Sequence, residues 1–138
     1  MSCFQGLLEE NRDQIARLIT LECGKTLAES SGELQRAIEN VEVACGTPML
    51  MQSEFLENVA TGIDEFMIRQ PLGVTACIAP FNFPAMVPMW FFPLALAAGN
   101  TVILKPSEKA PSASIWIAKL LKEAGLPDGV FNVVQGDK

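Results

Sequence analysis

The sequence predicts an α/β fold with a parallel sheet, flanking helices, further helices in its N-terminal part and one edge strand. Two observations support the sheet. Short apolar runs bounded by glycine or proline, which suit buried strands, alternate with segments of helical length. The order strand, helix, strand, helix, strand at this spacing favours right-handed βαβ units. With 138 residues, one domain is expected.

The first third of the chain is predicted to be helical. The opening stretch MSCFQGLLEENRDQ begins as if already inside a helix, because its apolar residues fall on one face. A second helix is expected to begin after Asn11 and to end at Gly24. A third is expected within residues 31–46, and its apolar stripe comprises Leu34, Ile38, Val41 and Cys45.

The segment that follows the helical part is predicted to hold a loop and then strands. Residues 49–62 show no clear period and are predicted to form a loop. The stretch IDEFMIRQP then indicates an edge strand, because Pro71 ends it and proline cannot donate to a sheet ladder. Three apolar runs typical of buried strands follow: GVTACIA at 73–79, TVILK at 101–105 and VFNVV at 130–134.

Two helices are predicted between these three runs. The first, from about Pro84 to Ala98, is apolar all round, which indicates burial on one side by the sheet and on the other by something outside this chain. The second begins at Pro111 and ends at Gly125. Its inward face is predicted to comprise Ile115, Ala118 and Leu120 or Leu121.

The long apolar run from Ala76 to Gly99 raises the alternative of a membrane span. A spanning helix needs ~20 residues without a break. This run instead contains prolines at positions 80, 84, 88 and 93, each of which interrupts the hydrogen bonding of a helix. A chain that does not enter the membrane is therefore expected.

Composition excludes several other classes of protein. The net charge of −6 leaves no basic surface for nucleic acid. The sequence has no histidine, and its four cysteines at positions 3, 23, 45 and 77 form no C-x-x-C pair, so no metal site is expected. The same spacing indicates reduced thiols in a cytosol-like compartment.

Polar residues follow two of the predicted core strands, at the carboxyl edge where ligands bind in open α/β folds. PFNFP follows the first strand and KPSEKAP the second. If these strands are neighbours, then Asn82, Lys105, Ser107 and Glu108 share one crevice. No G-x-G-x-x-G motif follows any strand, so the usual dinucleotide fingerprint is missing. On pattern alone, Asn82 also fits a turn residue, and Lys-Pro-Ser-Glu also fits a solvated loop.

The order of the motifs is more specific than any one of them. Proline–aromatic–Asn-Phe-Pro, Gly-Asn-Thr, Lys-Pro-Ser-Glu and Ala-Gly-Leu-Pro-Asp-Gly-Val occur in turn across about half the chain, and they closely resemble the NAD(P)-dependent aldehyde dehydrogenase superfamily. The upstream stretch RLITLECGKTLAE is similar as well, so the resemblance covers essentially the whole chain. Phe81, where most members carry Trp, together with IRQPLGV and FPAMVPMWFFP, looks most like the CoA-acylating methylmalonate-semialdehyde dehydrogenase branch.

The resemblance implies part of an NAD-binding domain with a Rossmann-like sheet, and it assigns roles to individual residues. Asn82 matches the side-chain donor of the oxyanion hole. Lys105 and Glu108 match the pair that holds the adenosine ribose hydroxyls. The full set of cofactor-binding positions that it implies is Ala79, Phe81, Lys105, Ser107, Glu108 and Lys109.

The chemistry of these residue types agrees with the implied roles. A thiolate that attacks an aldehyde makes a tetrahedral alkoxide, and an amide side chain donates to that oxygen without taking a proton. Asn82 is suited to this task. A carboxylate accepts hydrogen bonds from ribose hydroxyls but repels a 2′-phosphate, so Glu108 favours NAD over NADP.

The resemblance also implies an activity and a cellular location. The activity is NAD-dependent oxidation of methylmalonate or malonate semialdehyde through a thioester, which CoA releases as propionyl-CoA or acetyl-CoA with loss of CO2. Two alternatives stay open: a hydrolytic aldehyde dehydrogenase with another substrate, and a truncated module that only binds nucleotide or partner subunits. The expected location is the bacterial cytoplasm or, in a eukaryote, the mitochondrial matrix.

Both ends of the chain look cut, which indicates part of a cofactor-binding domain without its catalytic domain. Residues 1–61 are expected to form the helical part, 62–72 an oligomerisation strand and 73–138 the βαβαβ core. The strand at 62–72 resembles part of the hairpin through which family subunits assemble, so a homotetramer is expected. The Cys nucleophile and the Glu base of the family are expected outside this chain.

Overall fold

The chain begins with four helices, continues with a β-hairpin and ends with alternating strands and helices. The structure is a computed structural model and describes residues 1–137. In chain order, the elements are α1 Ser2–Glu10, α2 Arg12–Cys23, α3 Leu27–Cys45, α4 Thr47–Leu50, β1 Glu54–Ala60, β2 Ile63–Met67, β3 Val74–Ile78, α5 Met86–Ala97, β4 Thr101–Lys105, α6 Ser112–Glu123 and β5 Phe131–Val133.

The last three strands form a parallel sheet in the order β3-β4-β5, which confirms the predicted α/β fold. Val74 lies opposite Thr101, and Ile78 lies opposite Lys105. The predicted strand TVILK matches β4 residue for residue, while β3 and β5 lie inside their predicted runs. Because α5 and α6 connect these strands in order, right-handed crossovers place both helices on the same face of the sheet.

The hydrophobic core lies between the sheet and the N-terminal helices. Helices α5 and α6 cover one face of the sheet, and α1, α2 and α3 pack against these two helices from outside. The largest buried side chains in this layer are Phe4, Leu8, Ile15, Ile19, Leu34, Met89, Phe92, Ile117 and Leu121. The N-terminal helices are therefore close enough to reach the loops that leave the sheet.

The apolar helix α5 is partly covered by this chain itself. Phe92 and Met89 are fully buried in the core shared with α3, so the expectation that only a missing segment covers the second side was wrong. Trp90 and Phe91 remain 43% and 55% exposed. Pro93 lies inside the helix, where it removes one backbone hydrogen bond. Among residues 1–137, no helix combines the length and the apolar character that crossing a membrane requires.

The prediction of a loop at 49–62 is wrong, because half of this segment forms a strand. Glu54–Ala60 pairs with Ile63–Met67 in an antiparallel hairpin, with Phe55 opposite Phe66. The helical part accordingly ends at Leu50. The predicted edge strand exists as the second strand of this separate two-stranded sheet. Every residue of both strands is exposed, so the hairpin stands away from the core.

The helix boundaries were predicted with mixed success. Gly24 ends α2 in the left-handed conformation, with φ 72°, as expected. Asn11 is the N-cap residue of α2, as predicted, but its side chain makes no capping bond and its amide instead donates to the Leu7 carbonyl at 2.8 Å. Helix α3 begins several residues earlier than predicted, because Thr26 and Glu29 form a reciprocal capping box.

Two inward faces also differ from the prediction. In α6, Ile117, Leu120 and Leu121 are buried, whereas Ile115 is 39% exposed. In α3, Ala44 ends the buried stripe in place of Cys45, which is half-buried. The other predicted positions of α3, Leu34, Ile38 and Val41, are buried as expected, and Ala118 of α6 is half-buried.

Candidate active site

Two loops leave the sheet at the same edge, as predicted. Strands β3 and β4 are parallel neighbours, and Ile78 and Lys105 end them side by side. The ladder continues one residue further, because the Ala79 N–H donates to the Lys105 carbonyl at 3.0 Å. Ala79 is buried. This register brings the loop that carries Asn82 next to the loop that carries Glu108.

Asn82 lies in the turn between β3 and α5 and is exposed. A turn asparagine commonly accepts a hydrogen bond from a nearby backbone N–H. Among residues 1–137, the Asn82 side chain has no hydrogen-bond partner, so the turn does not depend on its amide. Both polar atoms of the side chain are free to meet a ligand. The exposed amide is compatible with both the ligand-binding interpretation and the turn interpretation of Asn82.

The backbone on both sides of Asn82 is held from outside the sheet. The Cys23 thiol donates to the Phe81 carbonyl at 3.0 Å. On the other side, the Ser114 hydroxyl donates to the Pro84 carbonyl at 3.3 Å. The Phe81 carbonyl is thus engaged by the thiol, whereas the Phe81 side chain is exposed.

The second loop forms an open cleft of about 640 Å³ lined by Ile78, Lys105, Glu108, Lys109 and Asp137. The Lys105 ammonium lies 3.5 Å from a carboxylate oxygen of Glu108. The Lys109 ammonium lies 5.3 Å from the centroid of the Phe81 ring, so it joins the two loops across the crevice. Four of the sequence-predicted positions therefore meet in one place.

Glu108 is held in its charged form. A hydrogen bond from its own backbone N–H lowers the pKa of this carboxyl below its usual value, and Lys105 acts in the same direction. The group is therefore ionised throughout the neutral pH range. Ser107 is buried, and its hydroxyl accepts from the Lys109 N–H at 3.2 Å. This contact shapes the turn that presents Glu108 and Lys109.

The N-termini of the two crossover helices do not offer the phosphate site that is common in dinucleotide-binding folds. At α5, the Glu33 carboxylate accepts from the N–H groups of Ala85 and Met86. At α6, the Glu22 carboxylate accepts from the backbone N–H and the hydroxyl of Ser112. A phosphate at either position would meet a carboxylate. The absence of the glycine motif from the sequence thus agrees with helix N-termini that bind carboxylates of this chain.

A second hollow lies on the side of the Asn82 loop that faces the N-terminal helices. It measures about 540 Å³ and is lined by Lys25, Ala28, Glu29, Gly32, Arg36 and Phe83. The Arg36 Nε donates to the Met86 sulfur at 3.2 Å. Among the described residues, no carboxylate lies within ion-pair distance of Arg36. The hollow therefore presents a cation that no carboxylate of the described chain neutralises.

Lys25, Glu33 and Arg36 were not among the sequence-predicted site residues. One signal was available, because Glu33 falls on the apolar stripe of α3, where a carboxylate has to be paired. The partners of such a group depend on how α3 docks onto α5, which the period of a single helix does not reveal.

Comparison with known proteins identifies relatives of this chain along its whole length. The sequence profile described as "Aldehyde dehydrogenase family" matches residues 1–138. The chain is 57% identical over 135 residues to a malonate-semialdehyde dehydrogenase of Pseudomonas aeruginosa, covering 98% of this chain and 27% of that protein. It thus spans about a quarter of the length of that relative.

Two crystal structures resemble the fold closely. The first, a methylmalonate-semialdehyde dehydrogenase from Oceanimonas doudoroffii, matches with a TM-score of 0.97 and 57% identity over 100% of this chain and 28% of that one. The second comes from Sinorhizobium meliloti, is described as a methylmalonate-semialdehyde dehydrogenase and was solved with NAD. It matches with a TM-score of 0.95 and 48% identity over 99% of this chain and 28% of that one.

Proposed function

This chain belongs to the aldehyde dehydrogenase family, and we propose that it forms part of the cofactor-binding domain of an enzyme that oxidises an aldehyde with NAD. The observation that carries the proposal is the Asn82 amide, which is exposed and without a hydrogen-bond partner in the described chain. It stands at the same sheet edge as the Lys105–Glu108 pair.

Asn82 supplies the donor that the reaction needs. When a thiolate attacks the aldehyde carbonyl, the oxygen becomes an alkoxide that must be stabilised before hydride can leave. The amide N–H of Asn82 donates to this oxygen and cannot take a proton from the thiol or the substrate. The thiolate itself comes from a part of the enzyme beyond residues 1–138.

The cleft around Glu108 fits the adenosine of a dinucleotide. Two vicinal ribose hydroxyls match an ionised carboxylate with an ammonium 3.5 Å away. We propose that Lys105 and Glu108 bind this ribose, with Lys109, Phe81, Ala79 and Ser107 lining or shaping the cleft. When bound, NAD supplies the hydride acceptor, and the residues of this chain hold and orient it.

Glu108→Gln tests the cofactor assignment. We expect NAD binding to weaken and the preference for NAD over NADP to shrink by about 10-fold, because the charge that repels a 2′-phosphate is lost. The measurement is kcat/KM for both cofactors in the full-length enzyme. Glu123→Gln, an exposed carboxylate at the end of α6, is the matched control. An unchanged ratio for Glu108→Gln would place the ribose elsewhere.

The substrate is proposed to be a short semialdehyde that carries a carboxylate. The relatives named above act, by their names, on malonate or methylmalonate semialdehyde. The hollow beside Phe83 supports this class, because Arg36 is a cation in a concave site next to the Asn82 loop. A guanidinium binds a carboxylate through two parallel hydrogen bonds. We propose that CoA releases the acyl group, so that methylmalonate semialdehyde, NAD and CoA give propionyl-CoA, CO2 and NADH.

The function is tested directly in the full-length enzyme. NADH formation is followed at 340 nm with methylmalonate semialdehyde, malonate semialdehyde and propanal, each with and without CoA, and the acyl product is identified by mass spectrometry. Propionyl-CoA and acetyl-CoA from the two semialdehydes are the expected products. Free propionate as the product in the presence of CoA would favour the hydrolytic alternative.

Arg36→Met tests the substrate class. We expect KM for the two semialdehydes to rise by about 10- to 100-fold, because a charge-assisted hydrogen bond to the carboxylate is lost. KM for propanal, which has no carboxylate, should stay unchanged. The control is Arg17→Met, which removes an exposed arginine on α2. Equal effects on propanal and on the semialdehydes would show that Arg36 does not select the carboxylate.

The hairpin β1–β2 is proposed to be a subunit interface of a homotetramer. An isolated two-stranded hairpin is marginally stable in water. Phe55, Leu56 and Phe66 on this hairpin are each more than half exposed, which is typical of a surface that a partner covers.

A further inference from the structure

A buried carboxylate from α3 holds the start of α5. Glu33 is fully buried. One of its oxygens accepts from the N–H groups of Ala85 and Met86 at 3.0 and 3.1 Å. The other accepts from the Lys25 ammonium at 2.5 Å. The carboxylate therefore joins the turn between α2 and α3 to the first residues of α5.

The same pair reaches the residue beside Asn82. The Lys25 ammonium lies 4.0 Å from the centroid of the Phe83 ring, a distance at which a cation is attracted to the ring face. Asn82 is thus flanked by Phe83, which contacts Lys25, and by Phe81, whose carbonyl accepts from Cys23. The residues on both sides of Asn82 are therefore contacted by the N-terminal part of the chain, while the Asn82 side chain has no hydrogen-bond partner among residues 1–137.

Helix stability alone does not account for this arrangement. A helix N-terminus is usually capped by a Ser, Thr, Asp or Asn of its own chain segment, at little cost. In α5 the N-cap position is Ala85, and the cap is a fully buried carboxylate from another helix. A buried ion pair is costly to desolvate and is often replaced by apolar residues without loss of stability. What it provides here is a fixed position for the loop.

We propose that Glu33 and Lys25 are positioning residues for the reaction, and that they act by holding the Asn82 amide where the alkoxide forms. The inference rests on the proposed function, because it assigns Asn82 to the alkoxide. A donor stabilises the developing charge only when it is already in place, and a misplacement of about 1 Å costs on the order of 100-fold in rate.

The first test uses Glu33→Gln and Lys25→Met in the full-length enzyme. Both variants should lower the single-turnover rate of NADH formation by about 10- to 100-fold. The Kd for NAD should stay unchanged, because Lys25 and Glu33 contact neither Lys105 nor Glu108. Glu39→Gln, an exposed carboxylate on the same helix, is the control and should have no effect. If both site variants keep the wild-type rate, the proposal is overturned.

A second test separates positioning from stability. The double variant Lys25→Met/Glu33→Gln leaves no unpaired charge, so its Tm should recover relative to Glu33→Gln alone. Under the proposal the rate stays low in spite of the recovered Tm. A rate that recovers together with the Tm would mean that the pair only stabilises the fold, and the proposal would fail.

The third test asks whether the pair acts through Asn82. In an Asn82→Ala background, Lys25→Met should cause no further loss of rate, because the donor that it positions is already gone. Additive losses would overturn the positioning role. If Asn82→Ala alone leaves the rate unchanged, the proposed function itself is wrong, so the two failures are distinguishable.

Discussion

Asn82→Ala in the full-length enzyme is expected to lower the rate of the chemical step by about 10²- to 10³-fold. The alkoxide would lose a donor that is already oriented before the reaction begins. Because this donor acts mainly in the transition state, kcat and kcat/KM should fall together, and KM for the aldehyde should change little. The Kd for NAD should also stay the same, since Lys105 and Glu108 lie on the neighbouring loop.

The structure makes this variant a clean test. The Asn82 side chain is exposed and has no partner among the described residues, so its removal should change stability by only about 0.5 kcal/mol or less. A fall in rate with an unchanged Tm then reports on the chemistry. The measurement is single-turnover NADH formation, which excludes slow product release from the observed rate.

Asn40→Ala is the matched control, because the Asn40 amide only donates to the Arg36 carbonyl within α3. It should keep a nearly normal rate. If Asn82→Ala also retains most of its activity, Asn82 is a turn residue and the oxyanion must be stabilised by other groups.

The core of the fold was predictable because its elements carry strong local signals. The run at 101–105 is short, apolar and bounded by Asn100 and Pro106, and it matches β4 at both ends. The motif Gly-Asn-Thr at 99–101, which leads into this strand, has a structural role. The Asn100 amide accepts from the N–H groups of Leu72 and Gly73 and donates to the Ala95 carbonyl, which ties the end of α5 to the segment before β3.

Of the two hairpin strands, β2 was predicted and β1 was not, because neither strand has a buried face. A strand is recognised in sequence by alternation between core and solvent, and every residue of Glu54–Ala60 is exposed. Its only partner in the described chain is β2, and pairing between two exposed strands leaves no periodic pattern. By contrast, the true start of α3 carried a readable signal, the capping box of Thr26 and Glu29.

The candidate site likewise contains residues that local sequence signals predict and residues that they do not. Topology predicted that the loops carrying Asn82 and Glu108 lie at one edge of the sheet, since loops after neighbouring parallel strands share that edge. Lys25 in the turn before α3, and Glu33 and Arg36 in α3, contact the segment from Phe83 to Met86 although they lie far away in sequence. Their contribution depends on the packing of α3 against α5, which is a long-range property.

Residues 1–138 produced alone are expected to show no aldehyde oxidation, even with NAD and CoA supplied, because none of the four cysteines is a suitable nucleophile. The reaction needs a thiolate within attack distance of a carbonyl held near Asn82. Cys3 is exposed in α1. Cys45 ends α3, where its neighbours are Ser2 and Gln5 of α1. Cys77 lies inside β3, before the loop begins.

Cys23 needs separate consideration, because the structure places its thiol 3.0 Å from the carbonyl of Phe81, next to Asn82. Burial raises the pKa of the Cys23 thiol above its ordinary value, even though Lys25 opposes the shift. Burial raises the pKa of Cys77 as well. A raised pKa leaves less thiolate at neutral pH than a free cysteine has, and the Cys23 proton is further retained by its hydrogen bond to Phe81.

The experiment is to purify residues 1–138 and to follow NADH formation at 340 nm with propanal and with methylmalonate semialdehyde at neutral pH. The matched variants are Cys23→Ser and Cys77→Ser, which keep the size of the side chain and remove the thiol. Because both thiol pKa values are raised, any turnover that depends on these residues should increase as the pH rises above neutral. Turnover that disappears in Cys23→Ser would show that the thiol beside Asn82 is a nucleophile and not a structural donor. Turnover that disappears in Cys77→Ser would place the nucleophile inside a strand of the sheet, and the assignment of a thiolate from elsewhere in the enzyme would be wrong.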